Sequence, residues 1–156
     1  MEKQHALQQL EQLQKKLYAI HYACSAMNLD ADTVAPKNTS EGRGVALGVL
    51  AGEEQQLMIC PETRALLDEL DRQKDELDLL HRREVEELRR RCDQLTRIPA
   101  EEYIAYSELV NKAGDVWHKA KEKDDFAMFC PLLQELVEYN RKFAAYYDST
   151  RAPYDA

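Results

Sequence analysis

"YIAYSELVNKAGDVWHKA", residues 103–120, decides the fold. Tyr103, Tyr106, Val110, Ala113, Trp117 and Ala120 follow one another at alternating steps of three and four. That spacing is the apolar stripe of an amphipathic helix, and a half-buried strand would need steps of two. Pro99 stands at the first turn of this helix, with Glu101 and Glu102 just after it, and a charged run from Lys119 to Asp125 leads out. Downstream, Phe129, Leu132, Leu133, Leu136, Val137, Phe143 and Tyr147 predict another helix, closed by "YDSTRAP".

The same period governs the first half. Leu7, Leu10, Leu13, Leu17, Ile20, Cys24 and Met27 form one stripe on a long N-terminal helix, broken by "NLDADTVAPKNTS" (28–40). A second helix starts at Ser40 and carries Val45, Leu47, Val49, Leu50, Leu57 and Met58. Gly44, Gly48 and Gly52 share one face of it, each costing about 1 kcal/mol of helix propensity. Either a partner helix approaches closely there, or the helix is simply weak. Pro61 opens a short helix with Ala65, Leu66 and Leu70. "DELDLLHRREVEELRRRCDQL" (75–95) follows, with a core stripe of Leu77, Leu80 or His81, Val85, Leu88, Cys92 and Leu95. No run of period-two alternation is long enough for a strand. The expected architecture is all-α, a bundle of five to six long amphipathic helices, antiparallel to their neighbours and joined by short connections. Residues 1–156 are expected to form a single helical domain.

Composition narrows the function classes. Asp and Glu number 29 against 21 Lys and Arg, a net charge of -8. Phosphate binding needs surplus positive charge, so no nucleic-acid partner is expected. No stretch approaches the ~18 consecutive apolar residues of a membrane helix. The first residues, "MEKQH", open without the apolar segment of a signal peptide. Cys24, Cys60, Cys92 and Cys130 form no C-x-x-C pair and fall near apolar positions, which predicts reduced, mostly buried thiols in a cytoplasmic protein.

Catalytic motifs are missing from the spacing. The histidines His5, His21, His81 and His118 make no H-E-x-x-H, and Val85 follows His81-Arg82-Arg83-Glu84 where an inverted zinc motif needs a second His. His21 and Cys24 share a helix face, but two ligands make no site. There is no G-x-S-x-G, P-loop or dinucleotide fingerprint. The carboxylate pairs Glu86–Glu87 and Asp124–Asp125 read as solvated faces, and Arg89 to Arg91 as a basic helix end behind Glu84, Glu86 and Glu87. No catalytic, cofactor-binding or metal-ligating residue is assigned.

Longer patterns carry a resemblance. Trp117, Ala120, Lys121, Asp125, Phe126, Phe129, Pro131 and Leu133 spell W-x-x-A-+-x-x-x-D-F-x-x-F-x-P-x-L, and Pro153, Tyr154, Asp155 and Ala156 add P-Y-D-A. This resembles the carboxypeptidase Taq family of metallopeptidases. "IPAEEYIAYSEL" resembles the family's helix start, and "NLDADTVAPKNTSEGR" its G-W-D-x-E-T-x-M-P-x-x-x-x-x-x-R, with Leu29 in place of Trp and Ala35 in place of Met. Aromatics at helical spacing are usually core, so Trp117, Phe126, Phe129 and Pro131 are expected to be buried.

The resemblance implies an N-terminal, lid-like portion of a longer enzyme. In the family, P-Y-D-A runs on, and the catalytic H-E-x-x-H with its distant Glu lies far downstream. Pro153 accordingly reads as the first position of a helix that four residues cannot sustain. The family's metal, of the zinc or cobalt type, polarises the scissile carbonyl and acidifies water for the motif's Glu. The implied partners are the remainder of the carboxypeptidase polypeptide, peptide substrates and a homodimer. This chain is then expected to be inactive alone and to cover the groove. A free-standing interaction module descended from such an enzyme is the alternative. The two differ at the surface: an inert lid predicts exposed apolar area where the rest would pack, a module a polar surface throughout.

Overall fold

A computed structural model describes residues 3–36, 38–150, 152 and 154. Among these residues lie six α-helices and no strand: α1 (Lys3–Thr33), α2 (Ser40–Ile59), α3 (Pro61–Arg72), α4 (Leu79–Arg97), α5 (Ala100–Glu122) and α6 (Phe126–Tyr147). The protein is all-α, as its periodicity predicts. The Pro153–Tyr154–Asp155–Ala156 reading lies outside the described residues, Tyr154 apart.

The chain divides into two compact units, one from residues 1–23 and 53–97, the other from 24–52 and 98–156. In the first unit, Leu10, Leu13 and Leu17 of α1, Met58 of α2, Leu66, Leu67 and Leu70 of α3, and Val85, Cys92 and Leu95 of α4 are buried. Pro61 opens α3 because Cys60 before it is held extended (φ −62°, ψ 153°), as a residue preceding proline prefers. A short 3-10 turn, Lys74–Glu76, leads toward α4. Asp78 then caps α4: its carboxylate accepts from the His81 backbone N–H (3.0 Å) and pairs with the His81 ring (2.6 Å). Those bonds hold the Asp78 carboxyl below the ordinary range, the backbone donor first. His81 is half-buried and Leu80 exposed, which settles the alternative between them. α3 and α4 run antiparallel, tied by Arg64 to Thr96 (2.9 Å) and Arg89 to Asp68 (2.8 Å).

In the second unit, α2 and α5 are antiparallel along the glycine face. A Cβ at Gly44 would stand 3.0 Å from Asn111 Nδ2, at Gly48 2.8 Å from Glu108 Oε1, and at Gly52 3.0 Å from Ile104 Cδ1. The glycines therefore admit α5, and the close-approach reading of the stripe holds. α1 also runs further than its break signals suggest. Asn28 to Thr33 stay helical, Thr33 Oγ1 donates to the Leu29 carbonyl, and the Val34 and Ala35 N–H groups close on Asp30 before Pro36.

Candidate functional site

The family pattern of the sequence folds into one hairpin, α5 and α6. Lys123 ends α5 with its N–H on the Lys119 carbonyl. Asp124 takes a left-handed φ of 52°, which Asp tolerates better than most residues. Asp125 does two things at once. Its N–H donates to the Ala120 carbonyl (2.8 Å), and its carboxylate accepts from the Met128 N–H (3.2 Å) as the N-cap of α6. The Asp124–Asp125 pair is thus a turn device rather than a merely solvated face, legible as an Asp just before an apolar run. Ala120 is buried beneath the turn, and Lys121 Nζ lies 5.0 Å from the Trp117 ring centroid. Pro131, inside α6, removes the N–H that would bond the Ala127 carbonyl.

Which stripe of α5 is buried differs from the expectation. Leu109, Ala113 and Leu132 form the hairpin core, with Val116, Phe129, Leu136 and Tyr139 packed against them. Val110 and Trp117, one residue on from Leu109 and Val116, face outward at 47% and 43% exposure. On α6, Phe126 (65%), Leu133 (37%) and Val137 (40%) are exposed too, as are Cys130 and Pro131. The expectation that Trp117, Phe126 and Pro131 are core is therefore corrected, while Phe129 is half-buried against the hairpin core. Two apolar rows one residue apart both satisfy a three-four spacing, and a sequence does not say which one a partner covers. Cysteine burial is corrected likewise: Cys92 alone is buried, Cys24 and Cys60 are intermediate, and Cys130 is exposed. Burial pushes the Cys92 thiol up.

Polar ties complete the hairpin. Tyr106, Tyr139, Phe143 and Tyr146 make an aromatic row, Phe143 standing 5.2 Å from Tyr106 edge-on. Glu102 accepts from Lys142 (2.7 Å) and from the Tyr146 hydroxyl (3.1 Å), and the Lys142 bond leads in holding its carboxyl low. Burial raises the Tyr147 hydroxyl, with Tyr106 adding to it. Arg43 of α2 donates from Nε to Asn111 Oδ1 and from Nη2 to Asp115 Oδ1, both at 2.8 Å, with only 10% of its side chain exposed. Asn111 in turn donates to the Ser40 carbonyl (3.0 Å). Arg43 closes the family-like stretch 28–43, so that arginine reads as a helix clamp. Sequence inspection misses it because its partners lie about seventy positions away.

The remaining candidate residues scatter. His21 Nε2 and Arg91 both reach Glu54, which is buried in the first unit. Arg89 pairs with Asp68 and Arg90 with Glu87, so the arginine run is divided among three partners. His81 turns to Asp78 rather than Glu84, His5 to Gln9, and His118 lies 3.4 Å from Asp32. Among the described residues no three His, Cys, Asp or Glu side chains gather to hold a metal ion. A metal centre does not fit the described residues. The first unit has a groove of about 1160 Å³ between α1 and α3, floored by Leu13, Leu57 and Leu66 and rimmed by mixed charges.

Comparison with known proteins gives this packing a family. The model of the carboxypeptidase Taq (M32) metallopeptidases matches residues 9–156. The chain belongs to that family. Carboxypeptidase 1 of Bacillus subtilis is 35% identical over 138 residues, which are 87% of this chain and 28% of that protein. Thermostable carboxypeptidase 1 of Pyrococcus furiosus is 30% identical over 142 residues, again 28% of its length. Among solved structures, the crystal structure of BsuCP superposes with a TM-score of 0.91 at 31% identity, covering 97% of this chain and 30% of that one. Trypanosoma cruzi metallocarboxypeptidase 1 gives 0.71 at 30% identity, covering 96% and 30%. This M32 chain therefore spans less than a third of the relatives it matches. No helix among its described residues is long and apolar enough to cross a membrane.

Proposed function

We propose that this chain is the N-terminal helical region of a longer metal-dependent carboxypeptidase, which removes C-terminal amino acids from peptides. The observation that carries the reading is the match of nearly the whole chain to about 30% of the metallocarboxypeptidases it resembles. Residues 1–156 act as one lid-like wall that shapes and covers the substrate groove. Such a wall limits access to chain ends and positions the peptide. The zinc- or cobalt-type metal, its ligands and the general base belong to the remainder of the polypeptide. The chain alone is inert, which agrees with side chains committed to caps, clamps and ion pairs. The exposed apolar residues of α5 and α6 support an enzyme portion over a free-standing module, whose surface would be polar throughout. The setting proposed for it is the cytoplasm, where thiols such as the buried Cys92 stay reduced.

The test is the intact mass of the native gene product together with a peptidase assay. A product several times heavier than 18.1 kDa is expected. With divalent metal supplied, it releases C-terminal residues from a blocked peptide, and the 156-residue chain releases none. A native product of 18.1 kDa without peptidase activity overturns the reading in favour of an interaction module.

A further inference from the structure

The outward rows of α5 and α6 lie on one side of the hairpin. Val110, Gly114 and Trp117 each stand one residue on from Leu109, Ala113 and Val116, which face α6. Cys130, Leu133 and Val137 each stand one residue on from Phe129, Leu132 and Leu136, which face α5. One residue turns a helix by about 100°. The two helices are antiparallel, as Glu102–Lys142 at one end and Ala113–Leu132 toward the other require. Equal turns on antiparallel helices lead to the same side, so the rows join into one apolar face. The glycine face of α2 packs on the far side of α5, at Ile104, Glu108 and Asn111.

Gly114 is the second observation. It stands mid-helix, where glycine costs about 1 kcal/mol relative to alanine. The glycines of α2 at 44, 48 and 52 each have α5 pressed against them, but a Cβ at Gly114 would meet nothing within 4 Å. Nothing inside the described chain uses the space it leaves. A helix crossing the face at that point would.

We propose that this face is the seam on which a helix from the remainder of the carboxypeptidase polypeptide packs, crossing α5 at Gly114. The inference rests on the function proposed above. More than two-thirds of the BsuCP chain lies outside the match, so the occupant has ample sequence to come from. The charges bordering the face are basic, Lys121 beyond Trp117 and Arg141 one turn beyond Val137. A second copy laid on it by a two-fold axis would bring basic ends together, whereas a helix with acidic ends meets both.

Cys130 lies in the face and reports on it. The experiment compares its alkylation, read by peptide mass spectrometry, in the 156-residue chain and in the full-length polypeptide, with Cys92 as the buried control. Cys130 is expected to react at least about tenfold more slowly in the full-length protein. Gly114→Leu is expected to restore its reactivity there and to leave it unchanged in the 156-residue chain. Equal Cys130 rates in both proteins overturn the seam, and if the full-length protein still cleaves peptides, the functional reading survives alone. Protection that appears in the 156-residue chain with rising concentration also overturns it, in favour of a second copy. Protection in a full-length protein that cleaves nothing leaves the seam standing and removes the peptidase reading. A gene product ending at 156 residues removes both.

Discussion

Gly44→Ala and Gly114→Ala are the same chemical change in two helix interiors, and the structure predicts opposite signs for them in the 156-residue chain. Each gains about 0.8–1 kcal/mol of helix propensity. At Gly114 nothing opposes the gain, because the new methyl meets nothing within 4 Å. At Gly44 the methyl arrives 3.0 Å from Asn111 Nδ2. That amide cannot swing aside freely, since it donates to the Ser40 carbonyl at 3.0 Å and accepts from Arg43 at 2.8 Å. Losing a neutral bond costs about 0.5–1.5 kcal/mol and one to a charged donor about 1.5–3. Net, Gly44→Ala is expected to destabilise by about 1–3.5 kcal/mol, and Gly114→Ala to stabilise by about 1. For a chain of this size the two variants should separate by about 4–18 °C in Tm. Urea and thermal unfolding followed by far-UV circular dichroism, with fluorescence of the single tryptophan on α5, reads the difference. Equal shifts of the same sign would refute the account of the α2–α5 contact.

Three further outcomes follow from the polar ties. Arg43→Met removes two bonds from a nearly buried guanidinium and should cost about 2–4 kcal/mol, less than a fully buried pair because Asp115 is 28% exposed; a urea midpoint within error of the parent counts against the clamp. The Glu102 carboxyl is held low chiefly by Lys142, so its stabilisation is present above the ordinary carboxylate pKa of about 4.3 and is lost as pH falls through the depressed value. Glu102→Gln should therefore lower the midpoint at pH 7 and leave it close to the parent in strong acid. Asp125→Ala should cost about 0.5–2 kcal/mol through the lost cap on the Met128 N–H, with Asp125→Asn recovering most of it in the same unfolding assay.

The hairpin shows how far residue spacing reaches. Helix α5 was legible from its three-four steps and α6 from Phe129 through Phe143, because periodicity depends only on neighbours along the chain. The family was legible too, from the pattern 117–133. The devices of the turn were less so: Asp125 as a cap has a local signal, but the left-handed Asp124 has only its residue type. Arg43 was visible only as the last position of the family-like stretch 28–43, and its meeting with Asn111 and Asp115 gave no signal, since it depends on the antiparallel docking of α2 on α5. The glycine face of α2 left two readings open until a partner helix was placed against it.

Local periodicity and turn chemistry therefore determined that this chain is helical and roughly where each helix starts, while the residue pattern over 117–133 carried the resemblance to its family. Tertiary packing alone decided which of two adjacent apolar rows on α5 and α6 faces inward, that Trp117 and Phe126 stay outside, and that the buried Glu54 collects His21 and Arg91. The physical reason is that burial is a property of the neighbour that covers a side chain. A helix carries apolar residues on more than one line, and only docking against a partner distinguishes them.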